Sequence, residues 1–133
     1  MNRVRMPIVH FIFILFVAAA TLSPVGADAG DPRQRAVAAL EQDLKTDPNN
    51  SELWLHLGFA YRKLDQVDQA QAAFEKAASL NPRSEDAYYM LGLIYEKKGQ
   101  KSQALSVWKN YLAAETDPIK RSVAQKHIHQ LEP

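Results

Sequence analysis

Residues 54–61 read WLHLGFAY, which sets Trp54, Leu57, Gly58 and Tyr61 at gaps of three, one and three. Residues three and four apart share one side of an α-helix, so these four make a single stripe. Two large aromatics stand at its ends, with a leucine and a glycine between them. Glycine inside a helix costs about 1 kcal/mol relative to alanine. A stripe that keeps a glycine must therefore gain from the missing side chain. The pattern predicts a second helix crossing closely at Gly58, with the aromatics filling the space around the crossing.

The same stripe recurs. A displacement of 34 residues carries Trp54 onto Tyr88, Leu57 onto Leu91, Gly58 onto Gly92 and Tyr61 onto Tyr95. It also carries Ala70 onto Ala104 and Phe74 onto Trp108. An internal period of this length is the mark of a repeat architecture. The pattern resembles the tetratricopeptide repeat family, whose signature is an aromatic, Leu-Gly and Tyr, then Ala, an aromatic and Pro. The first copy fills every position, including Ala77 and Pro82. The second departs at Tyr111, where alanine is usual, and at Pro118, two residues late. The resemblance implies an all-α solenoid of antiparallel helix pairs. Helices are expected over 51–64, 67–80, 85–98 and 101–115, within repeats spanning 51–84 and 85–118. Ala70 and Ala104 are the small residues expected opposite Gly58 and Gly92.

Both flanks extend the array. Asp31-Pro32 is a helix start signal, with an N-cap followed by proline at the first helical position. Ala36, Val37, Leu40 and Leu44 form the apolar face behind it. Ala36 and Leu40 lie 34 residues before Ala70 and Phe74, so residues 30–50 read as the second helix of a half-repeat. Asp117-Pro118 repeats the start signal. Ile119, Val123, Ala124, Ile128 and Leu131 are the expected stripe of a capping helix over 119–133. Lys120, Arg121, Gln125, His129 and Gln130 form its polar back, as a stacked array needs to end in water. Six helices and no strand are expected.

Residues 1–29 differ in composition. Arg3 and Arg5 precede an apolar run from Ile8 to Leu22, and small residues follow Pro24, the layout of a secretory signal peptide. Cleavage after Ala27 or after Ala29 fits the small-residue pattern. The alternative is an uncleaved membrane anchor, although the run is shorter than the about 20 residues that span a bilayer. Of the 16 basic residues, 14 then remain against 15 acidic ones, counting from Asp28. That balance does not suit a nucleic-acid ligand. The chain has no cysteine, which excludes disulfides, thiolate metal sites and a lipid-modified cysteine. An exported, cysteine-free helical chain points to a bacterial periplasm.

The resemblance implies that the first helix of each pair faces a concave groove for a partner protein or peptide. Leu55 and Phe59 lie roughly 100–140° from Trp54 around the helix, and their counterparts are Tyr89 and Leu93. With Arg62, Met90 and Glu96 at the border, these residues are the expected partner-binding groove. Packing against one another and against the flanking helices is the other reading, and a homodimer contact a third. Some relatives clamp a partner's C-terminal carboxylate with lysine and asparagine. Leu55 and Phe59 occupy two of those positions, which argues against that ligand. Seven basic residues between Lys97 and Lys126 (Lys97, Lys98, Lys101, Lys109, Lys120, Arg121, Lys126) are read as a solvated face. His127 and His129 point to different sides of a helix and make a poor metal pair. His127, at the border of the stripe, reads as a half-buried structural residue. No phosphate loop, nucleophile elbow or carboxylate pair stands out, so no catalytic, cofactor or metal residue is expected.

Overall fold

A computed structural model describes residues 30–133 of the 133-residue chain. The signal-peptide and anchor readings of residues 1–29 lie outside the described residues. Six helices follow in order: α1 Pro32–Thr46, α2 Ser51–Lys63, α3 Val67–Leu80, α4 Glu85–Lys97, α5 Lys101–Ala114 and α6 Pro118–Leu131. Each packs on its chain neighbours, and no strand occurs among the described residues.

Local chemistry sets the helix ends. Asp31 accepts the backbone N–H of Arg33 at 3.0 Å, with Pro32 in the first turn. Asp117 accepts from Ile119 and Lys120 at 2.8 and 3.1 Å ahead of Pro118. Asn50 does the same for Glu52 and Leu53 at 3.1 and 3.2 Å. The turn inside each repeat uses one left-handed residue, Asp65 at φ 58° in the first and Gly99 at φ 70° in the second. That conformation lets the chain reverse while the next amide still reaches back. Gln66 N–H donates to the Tyr61 carbonyl at 3.0 Å and Gln100 N–H to that of Tyr95 at 2.8 Å.

The hairpins close around the glycines, and an aromatic ring comes nearest to each. The ring of Phe74 lies closest to Gly58; a Cβ there would come within 2.6 Å of two of its ring carbons. The ring of Trp108 lies closest to Gly92, where a Cβ would be 2.5 Å from it. Both rings are completely buried, as are Ala70, Ala77 and Ala104. The notch admits an aromatic face, and the alanines let the helices draw together beside it. Trp54 fills space between neighbouring core clusters, its indole N–H donating to the Pro48 carbonyl at 2.8 Å.

Each repeat is braced to the helix before it. Tyr61 on α2 donates its hydroxyl to Glu41 on α1. One repeat on, Tyr95 on α4 donates to Glu75 on α3 at 2.5 Å. Burial and the carboxylate beside each phenol push both tyrosines up to about 12.

At the α5–α6 corner Glu115 is almost fully buried. Its carboxylate accepts the backbone N–H groups of Asp117 and Thr116, each at 2.8 Å, and the Tyr111 hydroxyl at 3.2 Å. The Asp117 N–H, above all, holds this carboxyl below the usual range. Arg121 donates to the carbonyls of Leu112 and Glu115 and ties the end of α5 to α6. Tyr111, the departure from the repeat pattern, is buried in α5 against Trp108, and the helix continues past it. On α6 the expected stripe holds only in part. Ala124 is completely buried and Ile128 and Leu131 are half-buried, but Ile119 is 76% exposed and Val123 37% exposed.

Candidate functional site

The residues expected to line one groove divide among three recesses and the core. Leu55 does not line a groove and Met90 only borders a recess: they are 7% and 5% exposed and belong to one core cluster with Ala87, Leu91 and Ile94. They sit in the core that α2, α3 and α4 share. The sequence placed them by their angle to Trp54, and that angle also points into this core.

Phe59 is half-buried, edge-on to Phe74 with ring centroids 5.1 Å apart. It opens on a recess of about 460 Å³ between α1 and α2. Arg62 reaches the Met90 sulfur at 3.4 Å, and with Leu93 they line a second recess of about 320 Å³ near Val67 and Lys97. Tyr89 stands in a third, of about 300 Å³, with Asp86, Tyr111, Lys120 and Val123. Its ring packs edge-on against Trp108 at 5.5 Å and tilts against Tyr111 at 5.8 Å. Burial and the Glu115 carboxylate push the Tyr111 phenol up to about 12.

Glu96 is not a rim residue. Its Oε1 accepts the indole N–H of Trp108 at 2.6 Å and meets Nδ1 of His127 at 2.8 Å. His127 stacks on Trp108 with centroids 4.2 Å apart and planes 11° from parallel, the half-buried structural role expected for it. This network locks α6 onto the second repeat. A completely buried tryptophan needs an acceptor for its N–H, and that requirement was the available sign of Glu96's role.

The basic residues are also partly engaged. Lys98 bonds Asp68 and Gln71, each at 2.6 Å, Lys120 pairs with Glu115 at 3.4 Å, and Lys109 lies 3.8 Å from Glu132. Among the described residues no three His, Cys, Asp or Glu side chains gather as metal ligands. No described helix is long and apolar enough to cross a membrane.

Two helical hairpins, each locked by an aromatic ring on a glycine and repeated at a fixed interval, define a helical-repeat protein. Tetratricopeptide-repeat patterns match residues 27–75, 60–99 and 86–114. The chain belongs to the tetratricopeptide repeat family. Solved structures resemble it in fold. MamA is 24% identical over 74% of this chain and 66% of its own, with a TM-score of 0.62. The TPR domain of Arabidopsis OM64 is 20% identical over 74% and 81%, with a TM-score of 0.64. The first TPR of Spaghetti (RPAP3), solved bound to an HSP90 peptide, is 19% identical over 74% and 76%, with a TM-score of 0.63. No curated protein matches the sequence.

Proposed function

We propose that this chain is a non-catalytic, exported adaptor or assembly factor that holds a partner protein or peptide against the side bearing its first helices, in a bacterial periplasm. The observation that carries the reading is the recess at Tyr89, where a half-buried aromatic and the 37% exposed Val123 stand between Asp86 and Lys120. Apolar surface bordered by one charge of each sign suits a peptide or helix with an apolar anchor. The Spaghetti structure, a fold neighbour bound to an HSP90 peptide, supports the class of activity. Leu55 and Phe59, at two of the clamp positions, argue against a carboxylate-tail ligand of that kind. Export rests on the layout of residues 1–29, and intact-mass measurement of the N-terminus tests it.

The test of binding is a photo-crosslinking residue at Asp86 or Val123, both exposed, in intact cells, with Ala72 on α3 as the control site. A distinct protein captured from the first two positions and not the third is the expected result. Capture from Ala72 alone would refute the assignment of the face. Ile119, 76% exposed, favours a second reading, in which α6 forms a homodimer contact. A dimer by light scattering that Ile119→Lys abolishes would establish that alternative.

A further inference from the structure

The two ends of the array are finished differently. At the C-terminal end α6 covers the second repeat and leaves Trp108 completely buried. At the N-terminal end, α1 has the sequence of a second helix, but among the described residues no first helix precedes it and packs on its other side. Ala36 and Leu40 stand where Ala70 and Phe74, then Ala104 and Trp108, stand 34 and 68 residues later. Those four are all completely buried, whereas Ala36 is exposed and Leu40 half-exposed. On α2 the corresponding comparison is His56 with Met90: His56 is exposed, while Met90, covered by α2, is only 5% exposed. The recess of about 460 Å³ lies at this place, with Ala36 and Leu40 on one wall and His56, Phe59 and Ala60 on the other.

We propose that this recess is a helix seat, and that it receives an amphipathic helix of another protein, with a small residue against Leu40 and an acidic C-terminal end against Lys63. The repeat supplies the argument for the occupant's chemistry. One period on, the matching wall of Val67, Met90, Leu93 and Ile94 meets the C-terminal end of α2, where Asp65 shares the recess with Lys97. Lys63 is the counterpart of Lys97, and the charged residues lining its recess are the basic Arg33 and Lys63, with Arg33 already paired to Asp31 at 2.7 Å. An acid on the incoming helix therefore has Lys63 to meet. The small residue follows from Gly58, which gives way to Phe74 in the same relation. The chain's own upstream residues fit badly, because the repeat register brings Pro24 to the position of Gly58. Proline inside a helix removes a hydrogen bond and clashes with the preceding turn.

The helix that fills the equivalent seat one repeat on is α2 itself, which supplies the probe. A labelled synthetic peptide of the sequence Ser51–Asp65 is titrated into the full chain and followed by fluorescence anisotropy. Saturable binding is expected, weakened at least about tenfold by Ala36→Glu in the protein, since the longer side chain would fill the seat and its carboxylate would compete with the peptide's acid for Lys63. Ala36 is exposed, so the helical circular dichroism of this variant should match the parent. A peptide carrying Gly58→Ala should bind at least as tightly, because Leu40 is smaller than the ring that Gly58 otherwise meets. A Tyr89→Ser protein should bind the peptide unchanged, which separates this seat from the face proposed above. Absence of binding, equal binding of a scrambled peptide, or indifference to Ala36→Glu would each overturn the proposal. So would a dimer abolished by Ala36→Glu, which would make a second copy the occupant.

Discussion

Adding one methyl group at Gly92 tests the packing at its tightest point. The new Cβ would lie 2.5, 2.8 and 3.0 Å from Cε2, Cζ2 and Cδ2 of Trp108, where carbon atoms prefer about 3.5–4.0 Å. Relief requires a displacement of about 1 Å. Trp108 is poorly placed to provide it. Its N–H is held by Glu96 at 2.6 Å, His127 is stacked 4.2 Å away, and Tyr89 and Tyr111 press their edges against it. Overpacking of a core costs about 1–3 kcal/mol, and this site belongs at the upper end. Alanine returns about 1 kcal/mol through helix propensity. Gly92→Ala should therefore lose about 2 kcal/mol, which in a domain of this size is a fall of roughly 8 °C or more in melting temperature. Gly58→Ala makes the same clash with Phe74, which has one aromatic neighbour, Phe59, and no hydrogen bond. Its net cost should be smaller, about 0–1 kcal/mol. Urea midpoints at constant slope measure both changes. Adding Trp108→Leu to Gly92→Ala should show favourable coupling in a double-mutant cycle. A Gly92→Ala protein as stable as the parent would refute the reasoning, as would the reverse order of the two sites.

Further expectations follow from the same contacts. Glu96→Ala strands the buried indole N–H of Trp108 and the ring of His127, and should cost about 2 kcal/mol; near-ultraviolet circular dichroism should report the loosened indole. Tyr61, Tyr95 and Tyr111 titrate near 12 when folded against an ordinary value of 10.0. The folded state thus holds their protons longer, so the stability they contribute is whole below pH 10 and declines between pH 10 and 12. Melting temperature read beside a phenolate absorbance titration checks this, and a melting temperature unchanged across that window would contradict it. Asp65→Gly should be neutral or stabilise by up to about 1 kcal/mol, because φ 58° suits glycine. Gly99→Ala at φ 70° should cost about 1 kcal/mol; thermal melts of the two variants should move in opposite directions or not at all for Asp65→Gly.

The helices were legible because their information is periodic. The 34-residue spacing, the Leu-Gly pairs and the two Asp-Pro starts are properties of the chain in one dimension. Which ring enters the glycine notch is a property of the crossing between helices, so the sequence could place Phe74 near Gly58 without showing that its ring comes nearest. Leu55 and Met90 were misplaced for a related reason: facing away from one partner helix meant facing another. Glu41 and Glu75 share the 34-residue spacing and were legible in principle, but an acid on a helix surface carries no local sign of a tyrosine above it. Glu115 and the Trp108–His127 stack belong to the junction with α6, which occurs once and has no second copy for comparison.

The tyrosine–glutamate braces end with the second repeat, and the last junction is made in another way. A further period turns Glu41 and Glu75 into Lys109, and Tyr61 and Tyr95 into His129. Lysine supplies no lone pair for an incoming hydroxyl, so α6 docks on α5 without the strut that ties the earlier helices together. Glu96 against His127, and Arg121 on the carbonyls of Leu112 and Glu115, hold α6 down in its place.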